Sequence, residues 1–338
     1  MHKAKENKNR RSVYSLMSLF VMLPLAMVSI FSLPVKESIL SGLNILSEED
    51  DLILQQAEIT SETGSLTIPL KNAGRLFMVE AVIDGQSGNL IFDTGSSGIV
   101  LNRTYFRKYV PVERQSSNGV TGSVDKPVKV NVGNLKVSDL ELNKFTATVA
   151  DLSHIENCKG VKVLGLFGLG MIKNFEIIID FRHQVMILYK LDKEGNRINS
   201  VLPPFVADYT QNVIFSENIL FLKGSIAGKE LKFCLDTGAE TNVINSESGK
   251  SVLSTITINH KSDLQGVGSE RSDVLIGTMS DFKFGGREMP GMSGMITSLD
   301  ALCEAYNTAI DGMLGYDFLK RGTFCINLVK KQIGIIYI

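Results

Sequence analysis

Tryptophan is absent from this chain, and cysteine and histidine occur only four times each. Four scattered cysteines exclude a disulfide-stapled scaffold. Cys234 and Cys325 fall inside apolar strand patterns and read as buried thiols. Cys158 and Cys303 precede similar motifs, and spacing alone leaves a bridge between them open. The histidines (His2, His154, His183, His260) form no His-Glu-x-x-His pair and no cysteine pair has zinc spacing, so neither a metal nor another cofactor is implied. No Gly-x-Ser-x-Gly elbow occurs, and the glycine-rich stretch Leu164 to Gly170 lacks the Lys-Ser or Lys-Thr of a phosphate loop. A formal net charge of -1 supplies no field for nucleic acid, which is not expected as a partner.

What is present begins with a basic head (His2, Lys3, Lys5, Lys8, Arg10, Arg11) followed by a charge-free run from Val13 to Val35. That run is long enough to cross a bilayer as a helix, and acidic residues succeed it. Two readings stand: an uncleaved membrane anchor, and a cleaved signal segment whose nearest candidate site is Ser32. Either way the remainder is expected to be exported, periplasmic or otherwise extracytoplasmic. Residues 1–36 form this segment, and 37–64 read as an acidic linker or stalk, with a prosegment as the rival. Hydrophobic residues make up 44% of the chain and charged residues 21%. That balance supports a real core in the rest of the chain. From Ser65 onward β-branched and aromatic runs alternate with Gly, Asn and Asp turns, which predicts a mainly β protein.

One stretch is written twice. Leu90-Ile91-Phe92-Asp93-Thr94-Gly95-Ser96 has its counterpart in Phe233-Cys234-Leu235-Asp236-Thr237-Gly238-Ala239. With the aspartates aligned, Val79, Ile83 and Gly85 match Leu222, Ile226 and Gly228 without a gap, so a hairpin feeds each Asp-Thr-Gly. Asn118-Gly119-Val120 matches Gln265-Gly266-Val267, and both read as tips of mobile hairpins. Leu166-Phe167-Gly168 matches Met313-Leu314-Gly315, and each precedes one short helical stretch and final strands. Lobes are expected at 65–190 and 205–338, joined by a linker at 191–204.

Taken together, the paired Asp-Thr-Gly and apolar-apolar-Gly elements resemble retropepsin-type aspartic peptidase units, two of them fused over roughly Ser65 to Ile338. The resemblance implies an all-β fold of two pseudo-symmetric lobes with an active-site cleft between them. It implies an endopeptidase acting on a peptide or protein, with water activated between Asp93 and Asp236, in a chain that is active as a monomer. Thr94 and Thr237 are implied to bond across the lobes, and the two apolar-apolar-Gly elements to support the loops. Two carboxylates sharing a proton can supply both the base and the acid that amide hydrolysis needs. Gly95 and Gly238 permit a tight backbone beside each carboxylate. The chain departs from the family pattern in carrying Ala239 opposite Ser96 and Asp317 opposite Gly170, and neither hairpin tip has a tyrosine.

Strand alternation places Ile91 on the face of Asp93 and Cys234 on the face of Asp236, which predicts pocket walls flanking the scissile bond, with Gly119 and Gly266 above. Cys234 as a plain core residue is the competing reading. A hydroxyl on Ser96 can donate to Asp93 while Ala239 has none, so Asp93 is expected to be the more ionised of the pair. The alternative to an enzyme is a catalytically silent peptide-binding protein that keeps the fold.

Overall fold

The computed structural model describes residues 57–59, 64–112, 128–199, 203–265 and 271–338. The run from Val13 to Val35, most of the acidic stretch, and both Gly119 and Gly266 lie outside the described residues. Among the described residues no helix is long and apolar enough to cross a membrane.

Each lobe is organised by one hairpin. Leu76–Ile83 turns through Asp84 and Gly85 into Gln86–Phe92. Ile219–Ile226 turns through Ala227 and Gly228 into Lys229–Leu235. All four turn residues have positive φ. That conformation matches the twist of the flanking strands and favours glycine at the second turn position of each hairpin. Each second strand runs directly into Asp-Thr-Gly.

In the first lobe, Val163–Phe167 lies parallel to that second strand, with Ile91 beside Leu166 and Phe92 beside Phe167. It also lies antiparallel to Ile99–Asn102. In the second lobe, Gly312–Leu314 inserts in the same way between Lys229–Leu235 and Asn242–Asn245. Thus the apolar-apolar-Gly strand separates the two strands flanking each Asp-Thr-Gly and underlies the loop that joins them.

A third sheet of six strands joins the lobes. Its central pair is Glu176–Asp180 from the first lobe and Thr323–Asn327 from the second, antiparallel, with Ile178 opposite Cys325. One apolar cluster runs through both lobes and includes Phe92, Phe175, Phe233, Phe318 and Phe324. Edge-on rings link Phe233 to Phe282 and Phe282 to Phe318, at 5.5 and 5.9 Å between centroids. That geometry suits the aromatic quadrupole.

Among the described residues, five short α-helices decorate the sheets: α1 (Arg103–Phe106), α2 (Ser153–Lys159), α3 (Lys250–Leu253), α4 (Asp300–Ala305) and α5 (Tyr316–Leu319). A 3₁₀ turn at Leu169–Ile172 occupies the place of α5 in the first lobe. Each lobe therefore has two helical segments beyond the single one expected. Glu58–Ile59, placed in the acidic stretch by sequence, pairs with Leu140 and Glu141 at the edge of the first lobe's sheet, and Ala57 is buried beside it. The linker folds against the interlobe sheet: Arg197 donates from Nε to Glu176 at 2.6 Å and lies 3.7 Å over the ring of Tyr189.

Candidate active site

The two Asp-Thr-Gly loops meet at the lobe boundary. Thr94 Oγ1 donates to the carbonyl of Leu235 at 2.7 Å and accepts from the amide of Thr237 at 3.0 Å. Thr237 Oγ1 returns both bonds, donating to the carbonyl of Phe92 at 2.6 Å and accepting from the amide of Thr94 at 3.0 Å. Both threonines are fully buried. These four bonds fix one loop against the other and bring Asp93 and Asp236 within hydrogen-bonding reach of each other.

Each carboxylate is also held by its own loop. The amide of Gly95 donates to Asp93 Oδ1 and that of Gly238 to Asp236 Oδ1, both at 2.8 Å. A Cβ on Gly95 would sit 2.8 Å from the carboxyl carbon of Asp236, and one on Gly238 would sit 2.9 Å from that of Asp93. No side chain fits at either position. Beneath the loops, the amide of Asp93 donates to the carbonyl of Phe167 at 3.0 Å and that of Asp236 to the carbonyl of Leu314 at 2.9 Å. Gly168 and Gly315 let this support approach: a Cβ there would lie 2.3 Å from the Ser96 carbonyl and 2.4 Å from that of Ala239.

Burial raises the pKa of both carboxyls. Asp93 rises well above its ordinary value, because the charge of Asp236 and the bond between them add to burial. The same bond works in the opposite sense on Asp236. Both directions are upward, so the two carboxyls titrate as one coupled pair that keeps a shared proton above the ordinary carboxylate range. The bond expected from Ser96 to Asp93 is not made: Ser96 Oγ donates to the carbonyl of Gly98 at 3.1 Å instead.

Ile91 and Cys234 do not form open pocket walls. Ile91 is fully buried in a cluster with Met78, Val100, Leu166, Leu152 and Ile155, the last two brought by the α2 region. Cys234 is buried in the equivalent cluster of the second lobe, where Leu299 and Leu302 of the α4 region cover it. Alternation names a face, but residues from a short helical region close over each position. The thiol of Cys234 is pushed well up by burial and then by the charges of Asp236 and Asp93, which places it beside the dyad. Tyr306, just beyond α4, is raised by burial and by Cys234, Asp236 and Asp93 in turn. All four cysteines are free, so Cys158 and Cys303 are not bridged. Among the described residues no cluster of three His, Cys, Asp or Glu is placed to hold a metal ion.

Two groups at the site were not anticipated from the sequence. Glu240, four residues after Asp236, pairs with Lys159 at the end of α2 in the opposite lobe, at 2.5 Å, and both side chains are buried. Arg75 Nη1 donates to the carbonyl of Glu240 at 3.3 Å, and its guanidinium lies 5.7 Å from the ring centre of Tyr316. The available signal was a third departure from symmetry, Glu240 standing where the first copy has Ser97. The Gly170 departure also has a cause. A Cβ there would lie 2.2 Å from the carbonyl of Ser97, whereas Asp317 is accommodated by Lys320 and the amide of Ser293.

A search of curated proteins finds no match for the chain. Among solved structures, a retropepsin-like aspartic protease from Rickettsia conorii is similar at 18% identity, over 39% of this chain and 93% of that one, with a TM-score of 0.27. The sequence profile of a family described as aspartyl protease matches twice, at residues 79–171 and 222–318. Each match contains one Asp-Thr-Gly and its supporting strand, in agreement with the geometry of the two loops. The chain belongs to the aspartyl protease family.

Proposed function

We propose that this chain is an aspartic endopeptidase in which Asp93 and Asp236 activate one water molecule against a peptide carbonyl. The observation that carries this reading is the pair of buried carboxyls, bonded to each other and locked by the four threonine bonds. The charged carboxylate of the pair takes a proton from the water as the water's oxygen attacks the carbonyl carbon. The protonated carboxyl donates to the carbonyl oxygen; as the C–N bond breaks, the first carboxyl passes its new proton to the departing amine and the second recovers one from a hydroxyl of the tetrahedral intermediate, which restores the dyad. Thr94, Gly95, Ser96, Thr237, Gly238 and Ala239 position the pair. One chain supplies both carboxylates, which supports activity as a monomer.

The test is a peptide-cleavage assay on the wild type, Asp93→Asn, Asp236→Asn and the double variant, with circular dichroism to confirm folding. Each single variant is expected to lose at least about 10²–10⁴-fold, the usual worth of general acid–base catalysis. The double variant is expected to be scarcely worse, because the two groups act as a unit. Near-normal activity in Asp236→Asn would refute the two-carboxylate reading. Peptide binding without cleavage by the wild type would favour the silent binding protein.

The basic head and the apolar run from Val13 to Val35 support an exported protein held at a membrane. A reporter fused after Ile338 is expected to work only outside the cytoplasm, and activity solely inside it would overturn this placement.

A further inference from the structure

The two helices that roof the clusters beside the dyad are held very differently. In α2, Lys159 crosses the lobe boundary to Glu240, and both are buried. A second side chain of α2, Glu156, accepts from Tyr105 Oη and lies 3.3 Å from Asn102 Nδ2. In the second lobe, Asn245 stands in the place of Asn102; both amides donate to a backbone carbonyl, of Ile310 at 3.1 Å and of Val163 at 2.9 Å, but Asn102 alone of the two also reaches a helix side chain. From α4, the side-chain polar contacts are those of Cys303 Sγ with the backbone of Ile310, within the same lobe. Among the described residues no ion pair joins α4 to the first lobe. Tyr306, one position beyond α4, packs edge-on against Phe221 of its own lobe at 5.9 Å.

We propose that the Lys159–Glu240 pair is an interlobe latch that holds α2 closed over the Ile91 cluster and leaves α4 free to yield over the Cys234 cluster. The cleft then accepts a large apolar residue on the Cys234 side of the scissile bond and only a small one on the Ile91 side. Packing against the two roofs is otherwise alike: Leu152 and Ile155 on one side, Leu299 and Leu302 on the other. What differs is the polar tethering. A helix tied through two side chains to two other elements must break those bonds to move, whereas one held by apolar contact can shift and re-pack. Lys159 and Glu240 are thus specificity-determining positioning residues that act through α2.

This inference rests on the proposed peptidase activity. The experiment uses one cleavable peptide in which the two residues flanking the scissile bond are varied in turn through Ala, Val, Leu and Phe. For the wild type, the Phe-to-Ala ratio of kcat/KM is expected to be high at one position and low at the other. The neutral pair Lys159→Met with Glu240→Gln removes both charges of the bridge together, which is the tolerable way to remove a buried ion pair. It is expected to raise the ratio at the restrictive position by about tenfold, within the range that fit of a methylene-sized group commands. The gain is expected in KM for the Phe peptide, with the permissive position unchanged. Glu156→Gln, which loosens α2 from its own lobe, is expected to move the same position in the same direction and covers the case in which the double variant fails to fold. Equal preferences at both positions in the wild type, or broadening at both or at the permissive position, would overturn the latch and leave the peptidase reading standing. No cleavage of any peptide by the wild type would overturn both.

Discussion

Replacing Thr94 with valine keeps the shape of the side chain and deletes its oxygen. Two backbone groups then lose their partners, the carbonyl of Leu235 and the amide of Thr237, in a site with no exposure. The thiol of Cys234, 3.9 Å from the same carbonyl, is too weak a donor to replace the hydroxyl. A buried group left unsatisfied costs about 1–3 kcal/mol, so the pair predicts a loss of about 2–6 kcal/mol. That is a large share of the roughly 5–15 kcal/mol that stabilises a folded protein. Thr94→Ser keeps both bonds and gives up only a methyl group, worth about 0.8 kcal/mol. Urea unfolding of the wild type and both variants measures the difference. Because the four bonds form one connected set, Thr94→Val with Thr237→Val is expected to cost less than the sum of the single changes. A Thr94→Val loss below about 1 kcal/mol, or a serine variant as unstable as the valine one, would show that these contacts do not hold the lobes in register.

Three further outcomes are expected. Folding raises the pKa of Asp93 and Asp236 above their ordinary value of 3.8, so the folded state holds a proton that the unfolded chain has released. The dyad's contribution is therefore complete below that value and is lost as pH rises through the folded pKa. Urea unfolding across pH is accordingly expected to show Asp93→Asn gaining stability relative to the wild type as pH rises through that window; a difference independent of pH would contradict the shift. Gly238→Ala forces a methyl group against the Asp93 carboxyl. It is expected to cost about 100-fold in kcat, the scale of a misplacement of about 1 Å, with the fold retained by circular dichroism. With a thiol-specific reagent near neutral pH, exposed Cys158 is expected to react first, while Cys234 and Cys325, both buried and raised in pKa, react only on unfolding. Rapid labelling that survives Cys158→Ala would refute that order.

The features legible in the sequence were those written locally. A strand, a two-residue turn, a second strand and Asp-Thr-Gly occupy consecutive positions, so the repeat exposed them together with the spacing to Leu166 and Met313. The other short helices left no trace, because four to seven residues cannot display the period of a helix. For the same reason the burial of Ile91 and Cys234 was hidden: alternation names a face and is silent about what covers it. The hydroxyl of Ser96 turned to Gly98 through a rotamer choice within its own turn, which residue type alone does not specify. Lys159 and Glu240 are brought together by the meeting of the lobes, and neither charge has a local signature. Ala57 to Ile59 looked like linker because so short a segment does not register as a strand.

The six-stranded sheet that joins the lobes has a consequence for biosynthesis. The inner edge of Glu176–Asp180 is covered by Thr323–Asn327, which is made only after most of the second lobe. At the usual pace of translation the wait is on the order of 10 s. Throughout that interval the nascent first lobe carries a hydrogen-bonding edge that includes Ile177, Ile178 and Ile179, open to any extended segment nearby. The partner strand that finally protects it comes a whole lobe later, so a chain stalled before that strand keeps the adhesive edge without its cover.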